Sequence, residues 1–553
     1  MIQMKTKMTA AKAIVECIKR EQITKVFCVP GESYLPLLDA LYDEASIDLV
    51  SARHEGGASF MAEGYAKASR KPGVVLATRG VGAANLSIGV HTAYQDSTPM
   101  VVFLGQVHSK FRGREGFQEV DLDQFFKPIT KWAVEVKDPE RMPELVGRAF
   151  RIAQSGRPGP VVVSLPEDVL PAEAEMHFGP EITIPRPAPS DGEEVSVANS
   201  LIEADKPLII AGGGVKLSQA EKELLRFAER FQIPVITAFR RHDVFPNNHP
   251  LYAGHLGLGT PKKVIETVKE ADLILALGTR LSEVTTQDYT LLSAEQKLIH
   301  VDIEQEVIGK VYPPDVAIIA DMKKALNAFT YMDISFAWPT WARECNQRYL
   351  EVSSLEVSEA DVINKHIIKA MVDMLPADSI ITNDAGNFAG WLHGFYPFTK
   401  SNTYVGPTSG AMGYGLPAAL GAKLANPQRT VVSLSGDGGF MMTFQELETA
   451  VRENIPVIAL VFNNNSYGTI RMHQEIHYPE RVIGTDLGEV SFSALAKGVG
   501  AQGYTVSTIG EFKNALLQAQ KSGLPTVIEI LTNVEQISVS STISSIRGQT
   551  PKL

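Results

Sequence analysis

Short apolar runs that close on glycine or a polar residue recur along this chain, with helical patterns between them. In the first third they are "KVFCVPG", "GVVLATRG", "MVVFLGQV" and, after a turn, "SGRPGPVVVSLPED". Near-continuous apolar runs suit strands buried on both faces, and their alternation with helices predicts a parallel sheet. The stretch "EITIPRPAPSDGEEVS" breaks the pattern with proline, serine and charge, and reads as a linker. Past it, "KPLIIAGGG", "IPVITA", "ADLILALGT" and "KLIHVDIE" resume the alternation. From near Glu356, "SIITNDAG", "RTVVSLSGDGG", "IPVIALVFNNN" and "TVIEILTN" do so again. The architecture repeats, although the sequence does not. The pattern therefore predicts three open parallel-sheet α/β domains, over residues 1–185, 190–345 and 356–553.

Composition narrows the function classes. The 553 residues exceed one domain, and 44% hydrophobic with 21% charged content is ordinary for a soluble globular protein. A net charge of -11 without a basic run argues against nucleic acid as a partner. Cys17, Cys28 and Cys345 have neither metal-ligand spacing nor a disulfide framework, which suits a reducing cytoplasm. The amino-terminal "MIQMKTKMTAAKAIVECIKREQ" starts basic but lacks a continuous apolar core, so it reads as a helix and not a secretion signal. No apolar run approaches the roughly 18 residues of a membrane span.

Chemistry first shows in "SLSGDGGFMMTFQELETAVRENIPVIALVFNNNSYG", residues 433–468. "TVVSL" and "IPVIALVF" read as buried strands, and Thr443 with Glu446 matches a capping box for the helix between them. Asp437 and Asn464 then stand at the carboxyl ends of adjacent strands, the edge where open parallel sheets bind ligands. A carboxylate, an amide oxygen and a nearby carbonyl are hard ligands that suit Mg²⁺ or Ca²⁺ bridging phosphates. Gly438 and Gly439 let backbone N–H groups approach a phosphate. A GDG turn by itself is common in tight turns; the placement of both motifs gives it weight.

This stretch resembles the diphosphate-binding signature of thiamine-diphosphate enzymes, in which GDG is followed, one strand–helix–strand unit later, by NN. The resemblance implies that Asp437 and Asn464 bind Mg²⁺ through their side chains and Ser466 through its carbonyl. It implies that the Gly436, Gly438 and Gly439 turn and the Tyr467, Gly468 and Thr469 backbone hold the diphosphate. The segment from "SARHEGGASFMAEGYAKAS" to "MVVFLGQV" is similar to the pyrimidine-binding domain of acetolactate synthase, pyruvate oxidase and benzoylformate decarboxylase. There Glu55 matches the glutamate at the aminopyrimidine ring. Taken without the family, Glu55 is an acid after a strand. A sheltered carboxylate sharing a proton with the ring would stabilise the imino tautomer that deprotonates thiazolium C2. In "YVGPTSGAMGYGLPAALGA", the likeness makes Met412 the wedge that bends the cofactor and Gly410 the carbonyl facing its exocyclic amine. Met412 would otherwise read as core filler.

The substrate region "GREGFQEVDLDQFFKPITKW" resembles acetolactate synthase most specifically. Phe117 would form an apolar wall, and Gln118 would donate an amide N–H to a carboxylate or alkoxide. The paired-histidine motif of pyruvate-type decarboxylases is missing here. His54 reads as a positioning group for the Glu55 loop, and His91 as a helix histidine. The chain also departs from the biosynthetic pattern. Arg79 and Val81 interrupt the glycine-rich loop "TRGVGAAN", Val284 replaces an arginine, and His473 stands where a tryptophan favours 2-ketobutyrate. Arg471 and His473 would then meet a polar substrate, or Arg471 would face solvent. "IIAGGGV" and "AGHLGLGTPKK" resemble flavin-binding stretches, but flavin-free relatives keep similar glycines. FAD is left open, with the flavin-free reading preferred.

The expected protein is thus a thiamine-diphosphate- and Mg²⁺-dependent enzyme that decarboxylates and ligates a 2-keto acid, most like acetolactate synthase. The alternative is a benzoylformate-type decarboxylase or aldehyde lyase for a larger substrate. The family also implies a homodimer or homotetramer with cofactor sites between subunits. The "GGASFMAEGYA" helix face is a candidate for that interface, or for packing within one chain.

Overall fold

The computed structural model describes residues 6–181 and 183–549. Among them, three six-stranded sheets are parallel throughout, each flanked by helices. The first is built from β1 (Lys25–Cys28), β2 (Asp48–Ser51), β3 (Gly73–Ala77), β4 (Met100–Gln106), β5 (Trp132–Glu135) and β6 (Pro160–Pro166), in the order β2-β1-β3-β4-β6-β5. The middle sheet holds β7 (Pro207–Ala211), β8 (Val235–Thr237), β9 (Tyr252–His255), β10 (Leu273–Leu277), β11 (Lys297–Asp302) and β12 (Val316–Ile319), in the order β9-β8-β7-β10-β11-β12. The third holds β13 (Ile380–Asn383), β14 (Tyr404–Val405), β15 (Val431–Gly436), β16 (Ile458–Asn463), β17 (Gln502–Val506) and β18 (Thr526–Leu531), ordered β14-β13-β15-β16-β18-β17. Central strands such as β4 and β6 are buried at every position, which explains their unbroken apolar character.

The amino-terminal helix begins later than its pattern suggested. Thr6–Thr9 form a short strand, antiparallel to Glu173–Met176, and the helix covers Ala10–Arg20 with Thr9 as its cap. Residues 1–5 and Ile182 of the linker lie outside the described residues.

Two helices join the first and third sheets. Helix α1 (Glu55–Ser69) follows β2, and α2 (Gly80–Asp96) follows β3. Helix α3 (Gly415–Ala425) precedes β15 and crosses α1 at close range. A Cβ at Gly64 would overlap the Ala418 carbonyl, and one at Gly421 would overlap the Met61 carbonyl. The "GGASFMAEGYA" face is therefore buried within one chain, in a core with Leu416, Ala419 and Leu420. Beneath it, fully buried Glu63 accepts the Tyr414 hydroxyl and pairs with Lys67 at 2.8 Å, and Lys67 reaches Asp96 at 2.6 Å. No helix among the described residues is long and apolar enough to cross a membrane.

Candidate active site

The open carboxyl ends of β15 and β16 carry the first group of residues. Strand β15 stops at Gly436, and α4 (Asp437–Thr443) starts at once; α6 (Gly468–His477) follows the asparagine turn after β16. Asp437 is only 5% exposed. Its Oδ1 accepts the Gly438 amide at 2.9 Å and its Oδ2 the Ser466 amide at 3.3 Å, while Asn464 Oδ1 also accepts Ser466 N–H at 3.1 Å. Burial pushes the Asp437 carboxyl above its ordinary value, and the amides of Gly438 and Ser466 pull it back. Asp437, Asn464 and Ser466 thus meet in one turn. The donor set is one buried carboxylate, one amide and one carbonyl. Among the described residues no side-chain cation pairs with that carboxylate, and the set fits a hard divalent ion that keeps other ligands on phosphate.

The neighbouring backbone is more committed than its sequence suggested. The Tyr467 amide already donates to Thr485 O at 2.9 Å, and the Gly468 amide to Ser466 O at 2.8 Å. Tyr467 contributes its ring, which lies so near Gly438 that a Cβ there would overlap it. Backbone donation to an anion from this stretch therefore falls to the first turn of α6, where Thr469 Oγ1 is held by Asn387 Oδ1 at 3.0 Å. Gly439 packs on the carboxylate of Asp384, whose pKa burial pushes up to about 6. Gly410 has φ +70° with open space beside it, so its backbone can face a ligand. Met412 is half-buried just beyond.

The second group belongs to the first domain. Glu55 opens α1, half-buried, and His54 caps the helix by accepting the Gly56 amide on Nδ1 at 3.0 Å. Glu55 Oε2 accepts Asn85 Nδ2 at 2.9 Å, and Gly82 packs against Oε1. Residues 80–85 form the first turns of α2, so much of the expected glycine-rich loop is helix. The Gln118 carbonyl accepts the Gly80 amide at 3.1 Å, which sets the substrate candidates beside that helix start. Gln118 has φ +61° and a buried Oε1 that finds no partner among the described residues. Phe117 is 74% exposed, so in the single chain it is not yet part of a wall. Arg79 is buried and turned into its own domain, bonded to Glu167 at 2.8 Å and to the Phe117 carbonyl at 3.2 Å. It anchors the turn at Phe117 and Gln118.

Other expected contacts fall elsewhere. Arg471 is half-buried and pairs with Glu475 at 2.9 Å, which Arg547 also grips, and with exposed Asp486 at 3.5 Å. His473 is exposed and stacked near His477. Gly212 and Gly214 are pressed against Gly278, and Gly213 against Arg241. The capping box at Thr443 does not form. Thr443 Oγ1 donates to the Gly413 carbonyl, and α5 (Glu446–Arg452) starts at Glu446 itself. The Glu446 carboxylate instead crosses to the amides of Arg53 and His54.

Residues 8–125, 196–329 and 384–530 match the N-terminal TPP binding, central and C-terminal TPP binding domains of thiamine pyrophosphate enzymes. A probable acetolactate synthase large subunit of Methanocaldococcus jannaschii is 35% identical over 95% of this chain and 92% of its own length. The chain belongs to the thiamine pyrophosphate enzymes, in the acetolactate synthase-like family. The acetolactate synthase large subunit of Corynebacterium glutamicum is 34% identical over 95% of this chain and 87% of that protein. The isozyme 1 large subunit of Escherichia coli is 33% identical over 96% and 94%. Membership makes the protein a thiamine-diphosphate-dependent lyase or carboligase, and the three parallel-sheet domains are the family's architecture.

Proposed function

We propose that this thiamine pyrophosphate enzyme joins two molecules of pyruvate into 2-acetolactate, releasing carbon dioxide and taking up one proton. The observation that carries the reading is the Asp437–Asn464–Ser466 turn at the sheet's ligand edge, in a chain that also presents Glu55 at a helix start. Asp437 and Asn464 side chains and the Ser466 carbonyl would hold Mg²⁺, and the 436–439 turn with the start of α6 would seat the diphosphate. Thiamine diphosphate would supply, when bound, a thiazolium ring that serves as the sink for the electron pair released when the carboxylate leaves as carbon dioxide. Glu55 would hold a proton against the ring nitrogen, with Asn85 fixing which oxygen faces it. Met412 would set the cofactor's bend, and Gln118 would direct its amide at the keto acid. The proposed reaction has no net oxidation and so does not itself require FAD.

The functional unit proposed is at least a homodimer. Asn85, beside Glu55, and Thr92, bonded to Ser409 at 3.1 Å, lie seven positions apart on α2. That spacing is about 10 Å of helix. Among the described residues, no hydrogen bond or ion pair links Glu55 to 410–412, 436–439 or 464–469. Large apolar side chains stay exposed on the same helices: Val81 and Ile88 on α2, Met441 and Met442 on α4, Ile470 on α6. A second copy would cover them and bring its own Glu55 to the Asp437 turn. Assaying a panel of 2-keto acids with thiamine diphosphate and Mg²⁺ tests the reaction. Acetolactate from pyruvate supports it; release of aldehyde alone, or turnover only of larger aryl keto acids, favours the decarboxylase alternative.

A further inference from the structure

Glu446 is fully buried, yet the mechanism above assigns it nothing. Its Oε1 accepts the His54 amide at 3.0 Å and its Oε2 the Arg53 amide at 3.1 Å, from residues almost 400 positions away. Thr449 Oγ1 donates to Oε2 at 2.8 Å and holds the carboxylate plane. The two amides immediately precede Glu55. A Cβ at Gly57 would overlap Glu446 Oε1, so the carboxylate lies flat on the first turn of α1. The rest of α5 grips the same segment: Arg452 donates to the Ser51 carbonyl, and Glu448 approaches the Arg53 guanidinium at 3.9 Å. In the other direction, only Phe444 and Gln445 separate α5 from α4, which begins at Asp437. A short, buried path therefore leads from the diphosphate turn to the peptide units that aim Glu55.

A merely structural bond between domains would not need this arrangement. Burial opposes a carboxylate here, and Glu446 is pushed up to about 7 despite its backbone and Thr449 donors. What the carboxylate gains is two convergent N–H donors from adjacent amides, one to each oxygen, a geometry that fixes both the position and the rotation of the turn. We infer that Glu446 is a positioning residue: from the diphosphate-binding domain, it sets the turn that directs Glu55 at the cofactor. The inference rests on the role of Glu55 proposed above.

Glu446→Gln keeps the volume but turns an N–H₂ toward one of the two amides. In the full-length protein without cofactor, amide hydrogen exchange at Arg53 and His54 should then rise about tenfold or more, as expected for lost bonds to a charged acceptor. Exchange in the Asp437 and Ser466 turn should stay as it was. With cofactor, kcat should fall about tenfold, while KM and the thiamine diphosphate Kd hold within about threefold. Unchanged exchange at 53 and 54 overturns the inference, as does normal kcat once that exchange has risen. Raised exchange throughout both domains, or loss of cofactor affinity, marks a structural residue and also overturns it. If Glu446→Gln does not fold, Thr449→Val carries the test with smaller changes in the same direction, and wild-type exchange and kcat there overturn it. The amide readout does not depend on which keto acid is used. If it responds while Glu55→Gln itself leaves turnover intact, the assignment of Glu55 is what fails, and the positioning role fails with it.

Discussion

Asp437 Oδ2 accepts the Ser466 amide at 3.3 Å, across the gap between β15 and the turn after β16. That bond unites two motifs that the sequence separates by two helices and a strand. It also holds the carboxylate buried at the carboxyl end of the strands, without a cationic partner among the described residues.

Removing that carboxylate should therefore dominate. Asp437→Ala should weaken Mg²⁺-dependent thiamine diphosphate binding on the order of 10²-fold, and Asn464→Ala by less, since Mg²⁺ loses its charged ligand only in the first. Calorimetric titration into each variant reads this directly. Equal losses, or none in Asp437→Ala, would contradict the metal assignment.

If Glu55 and the Asp437 turn of different copies form one site, two dead variants should complement. Glu55→Gln and Asp437→Ala subunits, exchanged until heterodimers form, should recover one intact site per heterodimer. Mixed subunits that co-purify by two different tags but stay inactive would show that each site lies within one chain.

The crossing of α1 and α3 leaves no room for a methyl group. Gly64→Ala and Gly421→Ala should each cost about 1–3 kcal/mol through overpacking, read as a lower Tm. Gly113→Ala supplies no matched control, because that glycine has φ +74°; Gly147→Ala, inside the helix Met142–Gln154 with open space around it, should raise Tm slightly.

Such long-range features explain what was legible and what was not. The strands could be read because parallel strands buried on both faces need unbroken apolar runs. Asp437 and Asn464 could be placed because each stands at the end of such a run. Thr443 and Glu446 have capping-box spacing, but Thr443 Oγ1 finds the Gly413 carbonyl and Glu446 finds Arg53 and His54. Nothing local signals either partner. Arg79 looked like a loop anomaly because Glu167, its partner 88 positions on, reaches it only in the folded domain. The small residues of α1 announced a close helix contact without showing that α3 of the same chain supplies it.

Glu446 also predicts a pH effect. Its folded pKa of about 7 lies above the usual value of 4.5, so the folded state keeps a proton that the unfolded chain releases. Stability from this group is therefore greatest below about pH 4.5 and falls as pH rises to about 7, by about 3 kcal/mol at most. Glu448 on the same helix works in the same direction, while the donors from Arg53, Thr449 and His54 work against it. Thermal unfolding at pH 5 and pH 8 should show a smaller difference in Glu446→Gln than in the natural protein. An unchanged difference would mean that Glu446 stays charged throughout.

Hydrogen–deuterium exchange at thiazolium C2, in folded protein saturated with thiamine diphosphate and Mg²⁺, reads the role of Glu55 at the atom it would activate. Glu55→Gln retains a side chain that can touch the ring but cannot share the proton. Exchange in that variant should slow about 10²–10⁴-fold, the usual reach of general acid–base catalysis, with cofactor affinity largely kept. Exchange as fast as in the natural protein would show that Glu55 does not activate the cofactor.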